Sequence, residues 1–124
     1  MSRGARTLVT LTLAALARDE TYGYELVTVL REAGLDELST GTLYPVLTRL
    51  ERDGLLTSRL VASSSGPARK YYRPSDTGLR ALADQRAAWT ELVAVTTRVL
   101  DASPTDVPTE PAGAPASTPV RSAR

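Results

Sequence analysis

The chain reads as a mainly α protein with one small β-hairpin, and three observations predict it. Apolar residues recur three and four apart in four separate stretches, the mark of helices with one buried face. After the third stretch the period drops to two, and a turn rich in serine and glycine leads into a second extended run. Cations gather on this short helix and hairpin: from Thr40 to Pro74, Arg49, Arg52, Arg59, Arg69, Lys70 and Arg73 face only Glu51 and Asp53.

The first helix, Ala5 to Ala17, is apolar nearly all round, so neighbours should sandwich it. Arg18, Asp19, Glu20 and Thr21 supply a polar turn with several candidate caps. A second helix, Tyr22 to Ala33, puts Tyr22, Leu26, Val29, Leu30 and Ala33 on one side and closes at Gly34. The connection from Leu35 to Leu38 leads to Ser39, placed to cap a third helix. In that helix Leu43, Val46, Leu47 and Leu50 face inward, while Thr40, Thr42, Tyr44, Thr48, Glu51 and Arg52 face out. Gly54 ends it. Pro45 removes one hydrogen bond and crowds the Gly41 carbonyl, so either the regular helix begins near Thr42 or its first turn is distorted. Two helices joined this tightly, the second showing small polar groups at its start, meet the requirements of a helix-turn-helix.

In the first extended run Leu56, Ser58 and Leu60 alternate with Thr57, Arg59 and Val61, as in a half-buried strand. Ser63 to Pro67 turns the chain, and Arg69 to Arg73 returns and stops at Pro74, which lacks an amide for the ladder. Tyr71 and Tyr72 point to opposite faces, one into the core and one out, and the pattern leaves open which. Ser75 is placed to cap a long final helix with a seam of Leu79, Leu82, Arg86, Trp89, Val93, Thr96 and Leu100. Its length, about 37 Å at 1.5 Å per residue, exceeds what a small core covers and calls for a partner helix. Polar Arg86 and Thr96 favour a short helix pair over a long coiled coil. From Ala102 the composition changes to proline amid Ala, Ser and Thr, too poor in apolar surface to offset ordering entropy, so a disordered tail is expected. The expected organisation is residues 1–74 as a nucleic-acid-binding unit, 75–101 as a dimerisation helix and 102–124 as the tail.

Composition narrows the chemistry. An apolar content of 42% suits one globular core, and a net charge of +1 concentrated on one element suits a polyanionic partner. With no cysteine and no histidine, disulfides and histidine-based nucleophilic catalysis are excluded, and no structural zinc or other cofactor is expected. An enzyme would need a carboxylate pair in a cleft, whereas Asp and Glu fall mostly on solvated faces and turns, so no catalytic residue is expected. No run approaches the roughly 18 apolar residues of a membrane span. Residues 7 to 17 behind Arg3 and Arg6 mimic a signal peptide, but Thr7, Thr10 and Thr12 interrupt them and no clear cleavage site follows, which favours a cytoplasmic protein.

Four blocks carry a family likeness: Tyr22-Gly23-Tyr24-Glu25-Leu26, Gly41-Thr42-Leu43-Tyr44-Pro45, Arg49-Leu50-Glu51-Arg52-Asp53-Gly54-Leu55 and Arg69-Lys70-Tyr71-Tyr72-Arg73. Together they closely resemble the PadR family of bacterial transcriptional regulators, in the same order and across about residues 5 to 100. The resemblance implies a winged helix-turn-helix that dimerises through its C-terminal helix and represses a promoter until a small molecule binds. Trp89 sits where some members, especially those sensing planar drugs, carry a tryptophan facing its twin across the dimer. The single short terminal helix region fits the smaller subfamily, the proline-rich tail lies outside the family pattern, and no phenolic-acid pocket residue maps onto this chain.

On that footing double-stranded DNA is the expected partner of a homodimer, with Tyr22, Ser39, Thr40, Thr42, Tyr44, Thr48, Arg69 and Lys70 as contact residues. Threonine hydroxyls bond phosphate or base and their methyls meet thymine, but none reads a base as Arg reads guanine, so direct readout should be modest. Each assignment has a plainer reading: Thr40 and Thr42 as caps, Tyr44 as packing, Tyr22 as core, and Arg69 with Lys70 as a solvated edge that discourages sheet pairing. A planar aromatic effector would lie between paired Trp89 rings with Val93, Leu8 and Leu11 nearby; alternatively Trp89 fills the dimer core. The competing function is a winged-helix protein-interaction module that does not bind DNA.

Overall fold

Leu13 and Leu16 on the first helix, Leu26, Val27 and Leu30 on the second, and Leu43, Leu47 and Leu50 on the third interlock as the centre of one apolar core. Leu38, Leu56, Tyr72 and Leu82 complete it. The computed structural model describes residues 3–108, ordered as α1 (Arg3–Arg18), β1 (Thr21–Tyr22), α2 (Gly23–Glu32), α3 (Thr40–Arg52), β2 (Leu56–Ser63), β3 (Gly66–Pro74) and α4 (Asp76–Asp101). It is a winged helix-turn-helix followed by a long C-terminal helix. Two units divide it, the first running through Glu91 and the second starting at Leu92.

Both helices of the helix-turn-helix end in the same device. Gly34 (φ 129°) and Gly54 (φ 82°) take a backbone conformation that costs a side-chain-bearing residue energy. In each case the glycine amide and the next amide turn back onto the last turn: Gly34 to Arg31 and Leu35 to Leu30, Gly54 to Glu51 and Leu55 to Leu50. Orphan carbonyls are thereby satisfied, and Leu35 and Leu55 are brought against the core. At the other end of α3, Ser39 Oγ accepts from the Thr42 amide at 3.2 Å, as its position predicts. The helix starts at Thr40 despite Pro45, and Gly41 and Pro45 are both exposed, so the carbonyl that proline leaves unpaired stands on the open side.

Three expectations need correction. The buried stripe of α2 is Gly23, Leu26, Val27 and Leu30, with Val29 left 40% exposed; the Tyr44 ring of α3 covers Gly23. The turn before α2 does not cap it: Tyr22 stands at the cap position with no side-chain bond. Thr21 and Tyr22 instead pair with Tyr72 and Tyr71, making a three-stranded antiparallel sheet of order β1-β3-β2 out of the expected hairpin. The hairpin itself is longer than its period-two signal, since Ser63 already pairs with Gly66 across a two-residue turn. Beyond Leu56 and Tyr72 it contributes no buried side chain, and Leu60, on the same strand face as Leu56, is 72% exposed because the strands outrun the core.

The first turn of α4 is fastened to the α3–β2 link. Ser75 Oγ accepts from the Gly78 amide and donates to the Gly54 carbonyl, and a Cβ on Gly78 would lie 2.0 Å from the Leu55 carbonyl oxygen. In the second unit, α4 ends at Asp101, the Ala102 and Ser103 amides close onto Arg98 and Leu100, and residues 104–108 carry no regular structure. The rest of the proline-rich tail, 109–124, lies outside the described residues.

Candidate nucleic-acid interface

On α3 the side away from the core carries Thr42, Tyr44, Thr48, Arg49 and Arg52, all exposed, with Thr40 half-buried. The sheet sets the wing beside it. Because strand residues alternate, β3 sends Lys70 and Tyr72 to one face and Arg69, Tyr71 and Arg73 to the other. Tyr72 is the tyrosine that fills the core, 5% exposed, and burial pushes its hydroxyl pKa up. On the opposite face the Arg69 guanidinium sits 4.5 Å from the centroid of the Tyr22 ring, which lies 5.4 Å from the Tyr71 ring. The contact stacks the Arg69 guanidinium on the Tyr22 ring.

A carboxylate tethers each face. Glu20 accepts two bonds from Arg59 on β2, at 2.8 and 2.9 Å, and those bonds lower its pKa while raising that of Arg59. Glu51, expected on the outer face of α3, turns instead toward the wing, where Ser58 Oγ donates to Oε2 and Lys70 Nζ lies 2.9 Å from Oε1. The Ser58 bond, then Lys70, holds the Glu51 carboxyl below the usual carboxylate range, and the Lys70 pKa rises in turn.

Between wing and helix runs an open groove lined by Tyr22, Gly23, Tyr24, Tyr44, Arg69 and Lys70, with Ala68 and Tyr72 at its margin. Gly23 is what lets it form: a Cβ there would stand 2.6 Å from Cε1 of Tyr44, so the bare backbone at the start of α2 seats that ring. Four expected contact residues, Tyr22, Tyr44, Arg69 and Lys70, therefore meet here. Ser39 is the α3 cap, and its hydroxyl lies 3.2 Å from that of Thr42, which engages both hydroxyls locally. Thr48 stands one helical turn beyond Tyr44 on the same exposed row. Arg49 and Tyr24, absent from the expected set, are exposed beside these residues, Tyr24 at 66%. The wheel position of Arg49, off the Leu43-Leu47-Leu50 stripe, was available in the sequence; the exposure of Tyr24 depended on the correct stripe of α2.

The expected effector residues do not converge within the first unit. Leu8 and Leu11 line a shallow groove with Gly34, Leu35 and Leu38, and Trp89, 59% exposed, is not part of its wall. Val93, in the second unit, is 44% exposed. No group of His, Cys, Asp or Glu among the described residues is arranged to hold a metal ion, and no helix there is long and apolar enough to cross a membrane.

Comparison with known proteins gives one answer. Residues 12–84 match the family model described as the transcriptional regulator PadR-like family. The chain is 45% identical over 78 residues to a transcriptional regulator of Mycobacterium tuberculosis, across 61% of this chain and 69% of that protein. It is similar to the crystal structure of a PadR-like transcriptional regulator from Bacillus cereus, with 35% identity and a TM-score of 0.73 over 78% of this chain and 94% of that one. Bacillus subtilis PadR in complex with operator DNA is similar at 26% identity and a TM-score of 0.60, over 64% of this chain and 45% of that chain.

Proposed function

The chain belongs to the PadR-like family of transcriptional regulators, and from that premise we propose that it is a homodimeric repressor that binds a pseudo-palindromic operator. The observation that carries the reading is the groove where α2, α3 and the wing meet, with Tyr22, Tyr44, Arg69 and Lys70 on its walls. The operator complex of Bacillus subtilis PadR supports duplex DNA as the partner.

In this reading α3 enters the major groove by its first turns, where Thr40, Thr42, Tyr44 and Thr48 meet base edges and backbone. Ser39 holds the helix start in register, and Tyr22 with the wing cations Arg69 and Lys70 faces the phosphates. Pairing of two copies through α4 is supported by its uncovered apolar residues, Leu79 and Trp89 in the first unit and Leu92, Val95, Val99 and Leu100 in the second. Its recognition helices would then lie about one duplex turn, roughly 34 Å, apart. A planar aromatic compound held between the two Trp89 rings would favour a dimer whose helices no longer match successive grooves. It would weaken operator binding by its own differential binding free energy.

Operator binding is tested with the full chain on its own upstream DNA across a salt series. Affinity is expected to fall steeply as salt rises. Arg69→Ala should weaken binding to every sequence, whereas Thr42→Ala should change the preferred sequence. Salt-insensitive binding, or no binding to any duplex, contradicts the proposal.

A further inference from the structure

Lys70 stands between two anions, one expected and one present. Its place on the wing directs it to a duplex phosphate, yet its ammonium is paired with Glu51 at the end of the recognition helix. The second oxygen of the same carboxylate accepts from Ser58. One side chain of α3 thus holds both strands of the wing, because Ser58 and Lys70 project from the same face of the β2–β3 ladder.

The wing has need of such a tie. Asp53, Gly54 and Leu55 join α3 to β2, β1 pairs only with Tyr71 and Tyr72 of β3, and past Leu56 and Tyr72 no side chain of the hairpin is buried, so beyond the Glu20–Arg59 and Glu51 ties little sets the angle of its outer part. From Ser58 to the turn is about 20 Å of strand at 3.4 Å per residue, so a hinge of about 10° at that point moves the tip by about 3–4 Å. That displacement is as long as a hydrogen bond to phosphate.

We propose that Glu51 is a positioning residue for DNA binding: by holding Ser58 and Lys70 it fixes the wing against the recognition helix, Lys70 serves as an internal brace, and Arg69 is the wing cation that meets phosphate. The assignment rests on the DNA-binding reading above and changes one role in it, that of Lys70, from phosphate contact to brace. Arg69 projects from the opposite face of β3 and leans on the Tyr22 ring, with no carboxylate paired to it among the described residues. A carboxylate at an interface with DNA repels phosphates, so its simple removal should tighten binding; a brace predicts the reverse.

The test measures affinity of the full chain for its own upstream DNA between low and moderate salt, for wild type, Glu51→Gln, Lys70→Gln, the double variant and Arg69→Gln. Amide exchange across β2 and β3 is followed without DNA. Glu51→Gln and Lys70→Gln should each weaken binding about tenfold, the effect of one lost charge-assisted bond. The double variant should be no worse than either, and all three should keep the wild-type salt slope. Arg69→Gln should lower that slope by about 0.9 per protomer, one released counterion. Without DNA, wing amides in Glu51→Gln should exchange faster while the melting temperature stays near that of wild type. Glu51→Gln binding as well as wild type or better, Lys70→Gln losing salt slope as Arg69→Gln does, or unchanged wing exchange overturns the assignment. Wild type that binds no duplex overturns the DNA-binding reading itself and this assignment with it.

Discussion

Tyr44 and Gly23 show how a residue without a side chain decides a contact made by another. The Tyr44 ring is 43% exposed and rests where a Cβ on Gly23 would stand, so the groove depends on that missing atom. In Gly23→Ala the clashing atoms are the far end of a partly exposed ring, which swings aside at little cost to the fold. The variant should therefore melt within a few degrees of wild type, a stability change under about 1 kcal/mol, yet bind operator more weakly because Tyr44 has left its seat. A large fall in melting temperature, or unchanged binding, contradicts this role for the ring. At this scale the sequence was legible for Ser39 and for the outward row Tyr44 and Thr48, since both follow from helix geometry. It was silent on the bonds that join Glu51 to Ser58 and Lys70, because contacts between elements leave no period in the chain. Nor did it tell Tyr71 from Tyr72, which depends on which face of β3 meets the core.

At the scale of the element, helix ends and inner stripes carry most of what was readable. Glycines at Gly34 and Gly54 marked two helix ends that the structure closes by the same pair of back-turned amides. Gly54→Ala keeps those bonds but forces a Cβ into the left-handed conformation, so stability should fall by about 1–2 kcal/mol in chemical denaturation. An unchanged midpoint would show that the link is not under that constraint. The stripe of α2 was right at Leu26 and Leu30 but took Tyr22 and Val29 in place of Gly23 and Val27, because glycine carries no hydropathy signal. β1 escaped notice for a simpler reason. Two residues are too few for an alternating pattern, and only the edge of β3 made Thr21 and Tyr22 a strand.

For the whole molecule, the four sequence blocks that resemble the PadR family anticipated both the winged helix-turn-helix and the family itself, with the family model covering residues 12–84. In the second unit Leu92, Val95, Val99 and Leu100 are exposed, the apolar series that a second copy would cover in the proposed dimer. The proposed repressor needs two recognition helices acting in register. Hydroxyl-radical footprinting of the full chain on its own upstream DNA tests that directly. It should show two protected tracts related by a dyad, their centres one helical turn or about 34 Å apart. A single tract, or no protection at salt concentrations where the protein stays folded, would contradict it.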